Sequence, residues 1–172
     1  MLLQKPDIMR LLDLRRAAEA IRRAYIATAQ GAVQAPDVTY LGFPDAPGDC
    51  HVKTAHMRGA PHFVIKVATG FYANPAKGLP SSNGINLLFS ASTGELVATL
   101  QDEGWLTDMR TGLGGALATY ALARPGFDQV LIVGTGIQAR VQARCLHDLR
   151  SDPPIHVAVW GRRAEAAETA AQ

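Results

Sequence analysis

The residues with the most chemical content in this sequence are a glycine corner, a lysine inside an apolar strand, and an arginine pair beyond the corner. Val130-Leu131-Ile132-Val133 is a continuous apolar run that reads as a strand. It feeds Gly134-Thr135-Gly136-Ile137-Gln138-Ala139, and Ile137 to Leu149 then reads as a helix. In a G-x-G-x-x-A corner, Gly134 permits the tight turn, Gly136 lets a diphosphate approach the backbone, and Ala139 keeps helix and strand close. The unpaired N–H groups at the helix start, those of Ile137 and Gln138 among them, would face the anion. Alone, the pattern also fits a plain strand-to-helix turn. A second apolar strand at Ile155–Trp160 favours the dinucleotide reading.

The end of that second strand bears on cofactor choice. NAD enzymes usually place Asp or Glu there for the ribose hydroxyls, whereas arginine accommodates a 2′-phosphate. Gly161-Arg162-Arg163 therefore predicts NADPH in preference to NAD, with Arg162 as the contact. The alternative is a solvated start to the next helix. Earlier in the chain, Lys66 sits in Phe63-Val64-Ile65-Lys66-Val67-Ala68. A lysine held among apolar neighbours has its charged form disfavoured and can act as an acid or base. A strand lysine that reaches solvent is the other reading.

These groups need elements to hold them. Positions Ile8, Leu11, Leu12, Ala18, Ile21 and Tyr25 recur at helical spacing, which predicts one amphipathic helix over 8–30 with Asp7 as N-cap and Gly31 as stop. Its face of Arg15, Arg16, Glu19, Arg22 and Arg23 reads as solvated rather than membrane-binding. Val38–Leu41 and His51–Thr54 flank the turn-rich Pro44–Asp49 and predict a hairpin; Ile85–Ser90 and Leu96–Leu100 flank Ser92-Thr93-Gly94 and predict another. The first half is thus expected to be mostly sheet, wrapped by the helix. Thr107 reads as the N-cap of a helix to about Ala123, and Gly112, Gly114 and Gly115 within it predict a close backbone or ligand. Only strand, helix, strand and a partial helix follow. The expectation is the front of a longer protein.

Composition sets outer bounds. The 172 residues carry a formal charge of +2, too little for a nucleic-acid surface without a clustered basic stripe. Cys50 and Cys145 have no C-x-x-C spacing, which predicts a reducing cytoplasm and neither disulfide framework nor zinc site. No apolar run is long enough to span a membrane, and the start does not read as a signal peptide.

Three features stand in order before the corner: Lys66 in its strand, the loop Asn74-Pro75-Ala76-Lys77-Gly78-Leu79-Pro80-Ser81, and Asp102-Glu103-Gly104-Trp105-Leu106-Thr107-Asp108-Met109-Arg110-Thr111. Here the sequence resembles the ornithine cyclodeaminase/μ-crystallin family, whose pattern runs lysine in a strand, N-P-x-x-G-L-P-[ST], strand, T-G, strand, D-G-x-x-L-T-x-x-R-T, helix, G-x-G-x-Q-A. The resemblance implies an α/β protein: an N-terminal α+β substrate and dimerisation domain over 1–123, followed by an incomplete Rossmann NAD(P)-binding domain over 124–172. It implies a cytoplasmic homodimer acting on a small amino or imino acid. The reaction is ketimine reduction or amino-acid dehydrogenation by hydride transfer at the carbon next to a carboxylate, or else the cyclodeaminase conversion of ornithine to proline and ammonia. An inactive fragment or a non-enzymatic nucleotide binder is the remaining alternative. By the same resemblance Lys66 contacts substrate and moves a proton. Ser81, Arg110, Thr111, Gly134, Gly136, Ile137 and Gln138 hold the cofactor.

Departures from the pattern concern the substrate. Val38 stands where the family usually has a carboxylate-gripping arginine, and Lys53-Thr54 replaces the usual Met-Pro. If the two strands pair across the Pro44–Asp49 turn, Lys53 replaces the missing arginine as carboxylate partner, as a point charge rather than a bidentate fork. Asp49, His51 and His56 are also unusual at their positions and are candidates for shaping specificity. The later aspartate that assists cyclodeaminase chemistry has no counterpart in these residues, so the polypeptide by itself is expected to be inactive or nearly so.

Overall fold

The structure is a computed structural model and describes residues 1–150 and 153–171. It is a mixed α/β fold that packs as two compact units, Met1–Leu12 with Arg23–Thr107, and Asp13–Arg22 with the chain from Asp108 on.

The first unit is built on one sheet of seven strands: β1 (Leu2–Gln4), β2 (Val33–Gln34), β3 (Thr39–Phe43), β4 (Gly48–Met57), β5 (His62–Phe71), β6 (Ser82–Ser90) and β7 (Leu96–Gln101). The order is β1-β7-β6-β5-β4-β2, with β3 also on β4. Both expected hairpins form, β3 with β4 and β6 with β7, and in the first Thr39 pairs with Val52 and Leu41 with Cys50. Because side chains alternate along a strand, register sorts them onto two faces. One face carries Val52–Val67–Ile85, Thr54–Ile65–Leu87 and His56–Phe63–Phe89 as cross-strand rows, with the Phe63 and Phe89 rings stacked at 5.1 Å. The other carries Lys53–Lys66–Asn86, His51–Ala68–Gly84 and Asp49–Gly70–Ser82. Strand β1 runs parallel to β7 and was not evident from a three-residue stretch with no alternation to read.

The single helix expected over 8–30 is two, α1 (Lys5–Leu11) and α2 (Leu14–Ala29). Asp7 is not the N-cap. Gln4 is, and Asp7 stands three residues on, its carboxylate reaching back to the Gln4 N–H in a capping box. The break falls at Asp13, whose side chain accepts the Arg16 N–H at 2.9 Å and so starts a new helix. Gly31 does end α2: at φ +69 it donates to Thr28 while Ala32 donates to Ala27, a Schellman pair. Nor does α2 simply wrap the sheet, since its first half belongs to the core of the second unit.

That core comprises Ala18, Leu113, Ala116, Cys145, Leu146 and Ile155, from α2, α3 (Trp105–Leu122), α4 (Ile137–Leu149) and the entry to β9 (His156–Trp160). Strand β8 (Gln129–Val133) pairs parallel with β9, and α5 (Ala164–Ala171) follows, giving a partial Rossmann-like β-α-β arrangement. Gly112 and Gly115 of α3 make room for protein rather than for a ligand. A Cβ on Gly112 would come within 2.5 Å of Val141 Cγ1 and one on Gly115 within 2.6 Å of Gln142 Oε1, so both glycines let α4 approach. Tyr120, raised in pKa by burial, donates to the Leu146 carbonyl across the same two helices. No helix among the described residues is long and apolar enough to cross a membrane.

Candidate functional site

In the first unit, the polar sheet face and the turn before α3 hold the candidate catalytic group. Lys66 is half-buried at the middle of β5, between Lys53 and Asn86 in one cross-strand row, and its Nζ donates to the Thr107 hydroxyl at 3.4 Å. Asn86 donates through Nδ2 to Asp102 Oδ1 at 3.0 Å, and the other carboxylate oxygen accepts the Leu106 N–H at 2.9 Å. Asp102 is thereby buried at 1 % exposure with both oxygens satisfied. This turn corrects the expected helix start. Capture of the Leu106 N–H by Asp102 starts α3 at Trp105, so Thr107 is not the N-cap but lies in the first turn, offering its hydroxyl to Lys66.

The turn itself is strained where the family pattern has glycine. Glu103, second in the Asp102 word, has φ +54, and its carboxylate pairs with Lys5 at 3.1 Å. Gly104, at φ +81, is buried against the start of β6: a Cβ there would sit 3.3 Å from the Ser82 Cβ. Ser81 precedes that strand at the end of the Asn74–Pro80 loop, half-buried, with its carbonyl accepting the Phe71 N–H at 2.8 Å.

The hairpin brings the substituted positions together. Lys53 stands directly opposite Lys66, a placement that puts Cβ atoms about 5 Å apart. Val38 is one residue before the Thr39–Val52 pair, next in the same row beyond Lys53. Lys53 is exposed and makes no ion pair among the described residues. Two places along the same face, His51 Nε2 lies 3.3 Å from Asp49 Oδ1, and the Tyr72 hydroxyl donates to Asp49 Oδ2 at 2.7 Å. That hydrogen bond, then the carboxylate's charge, raises the Tyr72 pKa. His56 is on the opposite face, its ring nitrogen against the Ala60 carbonyl, and is not part of this group.

In the second unit the corner is backbone chemistry. Gly134 has φ +134 and donates to the Trp160 carbonyl at 2.8 Å, tying the end of β8 to β9. Gly136 is the N-cap of α4, with no side-chain cap. Nothing lies within 4 Å of where a Cβ would project from either glycine. An uncapped helix start with open space above two glycines is what a diphosphate requires, so the residues present fit such a group. Ile137 opens the helix and is exposed at 59 %. Ala139 is buried and closes the first turn on Gly136, as expected of the third small residue. Gln138 donates to Asp108 Oδ1 at 2.9 Å, and its own Oε1 is buried with no partner among the described residues.

Arg110 and Thr111 were expected in the first helical turn. With α3 starting at Trp105 they fall in the second, where backbone N–H groups are already used within the helix, so only their side chains remain as ligands. Arg110 is exposed. At the end of β9, Thr135, Arg140, Arg163 and Glu165 line a cavity of about 330 Å³ that Ala166 and Thr169 complete. Arg162 is exposed and is not among its lining residues. Sequence reasoning missed Asp102, Asn86, Asp108 and Arg140. Only Asp102 left a signal, as an acid directly before a glycine-containing turn and an apolar helix.

The sequence model of the ornithine cyclodeaminase/mu-crystallin family matches residues 1–172. An uncharacterized cyclodeaminase from Sinorhizobium fredii is 43% identical over 138 residues, 80% of this chain and 41% of that protein. Among solved structures, the Thermococcus litoralis Δ1-pyrroline-2-carboxylate reductase, in complex with NADH and L-proline, superposes with a TM-score of 0.87 at 27% identity, covering 99% of this chain and 52% of that one. An archaeal alanine dehydrogenase dimer with bound NAD gives a TM-score of 0.85 at 28% identity, covering 99% and 51%. The chain spans about half the length of the relatives it matches.

Proposed function

The chain belongs to the ornithine cyclodeaminase/mu-crystallin family, and from that premise we propose that it serves an NAD(P)H-dependent reductase of small imino acids, working in reverse as an amino-acid dehydrogenase. The nucleotide, when bound, supplies a hydride to the imine carbon next to the carboxylate while the nitrogen gains a proton, so that C=N becomes CH–NH and the nucleotide leaves oxidised. In this reading residues 1–123 bind substrate and form a homodimer, and residues 124–172 begin the nucleotide-binding domain. The protein is cytoplasmic.

The single observation that carries the reading is Lys66: a half-buried ammonium at the middle of β5, its Nζ donating to the Thr107 hydroxyl on the polar face of the sheet. A group placed this way can deliver a proton to the imine nitrogen or remove one from the amine. Asn86, fixed by Asp102, and Thr107 orient it. Lys53, directly opposite, takes the substrate's α-carboxylate where the Val38 position supplies no charge. Gly134, Gly136, Ile137 and Gln138 receive the diphosphate, with Arg110, Thr111 and Ser81 as further cofactor contacts. Arg162, with Arg163 beside it, favours the 2′-phosphate of NADPH over NAD.

Supply of ammonium and a 2-oxo acid generates the imine in solution, and oxidation of NADPH by the full-length protein, followed at its absorbance band, tests the activity. The expected result is consumption of one nucleotide per amine formed, with Lys53→Met raising KM about tenfold. Ammonia release from ornithine with no net nucleotide consumption would instead establish the cyclodeaminase reaction. Nucleotide binding with neither reaction would leave a binding protein.

A further inference from the structure

On the substrate face of the sheet, the chemistry beyond Lys66 is not evenly spread. The row next to Lys53–Lys66–Asn86 is His51–Ala68–Gly84, and the one after it Asp49–Gly70–Ser82. Alanine and glycine at the centre of these rows leave a floor without bulk beside the lysine, and at two positions the small residue is required. A Cβ on Gly84 would meet the Val67 carbonyl at 2.8 Å, and one on Gly70 would press on both Asp49 Oδ1 and the Tyr72 hydroxyl at 3.3 Å. Gly70 thus makes room for the Tyr72–Asp49 hydrogen bond, and Asp49, with its side chain 17 % exposed, braces His51 from the Nε2 side.

The hydrogen-bonding account of this face has a sign. Both of its carboxylates are already used by protein donors, Asp49 by Tyr72 and His51, Asp102 by Asn86 and the Leu106 N–H. Among the described residues the Lys53 ammonium is in no ion pair, and the second nitrogen of His51, whose side chain is 36 % exposed, has no protein partner. With both carboxylates engaged by protein donors and the Lys53 ammonium in no ion pair among the described residues, this face favours an anionic group and repels a basic side chain.

We propose that His51, braced by Asp49 and Tyr72, recognises a second carboxylate on the substrate, so that the imino acid is dicarboxylic. This rests on the reductase reading and narrows its substrate class. In the complex Nδ1 donates to the substrate's distal carboxylate while Asp49 holds the ring from the Nε2 side. Ala68, the cross-strand partner of His51, is two residues from Lys66, about 7 Å along the strand, a distance that a short dicarboxylic chain bridges while its α-carboxylate stays at Lys53.

The test compares NADPH oxidation by the purified full-length protein with ammonium plus oxaloacetate or 2-oxoglutarate, against ammonium plus pyruvate. The expected kcat/KM is at least tenfold higher for one of the dicarboxylates. His51→Asn should remove that preference through KM, leaving kcat and the pyruvate reaction unchanged, while Tyr72→Phe should reduce it in part. His51→Lys, which restores a donor, should recover it. Equal or better use of pyruvate by the unaltered protein, or a preference that survives His51→Asn, would overturn the inference and leave the reductase reading standing. No NADPH oxidation with any of the three would sink both.

Discussion

The sheet face around Lys66 and the corner around Gly136 prepare for chemistry in opposite ways. On the sheet, strand register places side chains: Lys53, Lys66 and Asn86 share a row because β4, β5 and β6 pair as they do. At the corner, side chains are withheld, and what is offered is backbone N–H groups at an uncapped helix start with open space above two glycines. The first arrangement depends on which atoms a residue carries. The second depends on a residue carrying none, so the two should fail under different substitutions.

The largest effect is expected at the corner. Gly136→Val puts a branched side chain into the space where phosphate must approach, and Gly136 has φ −77, which valine tolerates, so the fold should survive. NADPH affinity measured by fluorescence titration should fall by about 100-fold or more with the circular dichroism spectrum unchanged. On the sheet side the matching experiment removes atoms. Asp102→Ala orphans the Asn86 amide and the Leu106 N–H in a buried turn, and denaturant unfolding should report a loss of about 2–3 kcal/mol.

Two smaller effects sharpen the contrast. Cys145, 1 % exposed in the core of the second unit, has its thiol pushed up to about 11, chiefly by burial and then by Asp148. A thiol reagent at pH 8 should therefore label Cys50, on the sheet, and reach Cys145 only in denaturant. The sign for stability follows from linkage: the unfolded thiol ionises near 9.0 and the folded one near 11, so alkaline pH should erode stability across that window, and Cys145→Ala should lessen the erosion. Smallest of all, Glu103→Gly relieves a left-handed backbone at the cost of an exposed ion pair with Lys5, and thermal unfolding should register a net change within about 1 kcal/mol.

The same contrast explains what could be read from the sequence. The corner was legible down to its helix bounds, because a glycine's job is local and Gly134, Gly136 and Ala139 each state a backbone requirement. Strand β5 and both hairpins were legible from alternation and turn residues. The cross-strand row was not, because register is a relation between segments: nothing local to Lys53 says that it faces Lys66 across a strand pair. Asp102 and Asn86 were missed for that reason, their bond spanning a hairpin. Helix starts were misplaced where a side chain outside the apolar pattern did the capping, Gln4 and Asp13 for α1 and α2, and Asp102 for α3. Gly112 and Gly115 of α3 were read correctly as marks of close approach, and of the two alternatives, backbone or ligand, the approaching group is α4.

The central claim is that Lys66 carries the proton while the corner only holds the nucleotide. Lys66→Met in the full-length protein tests it most directly, with turnover and NADPH binding measured on the same preparation. The account predicts a fall in kcat of about 1,000-fold with the nucleotide dissociation constant changed by less than about twofold. Turnover retained within tenfold, or a loss of nucleotide binding that matches the loss of turnover, would contradict it.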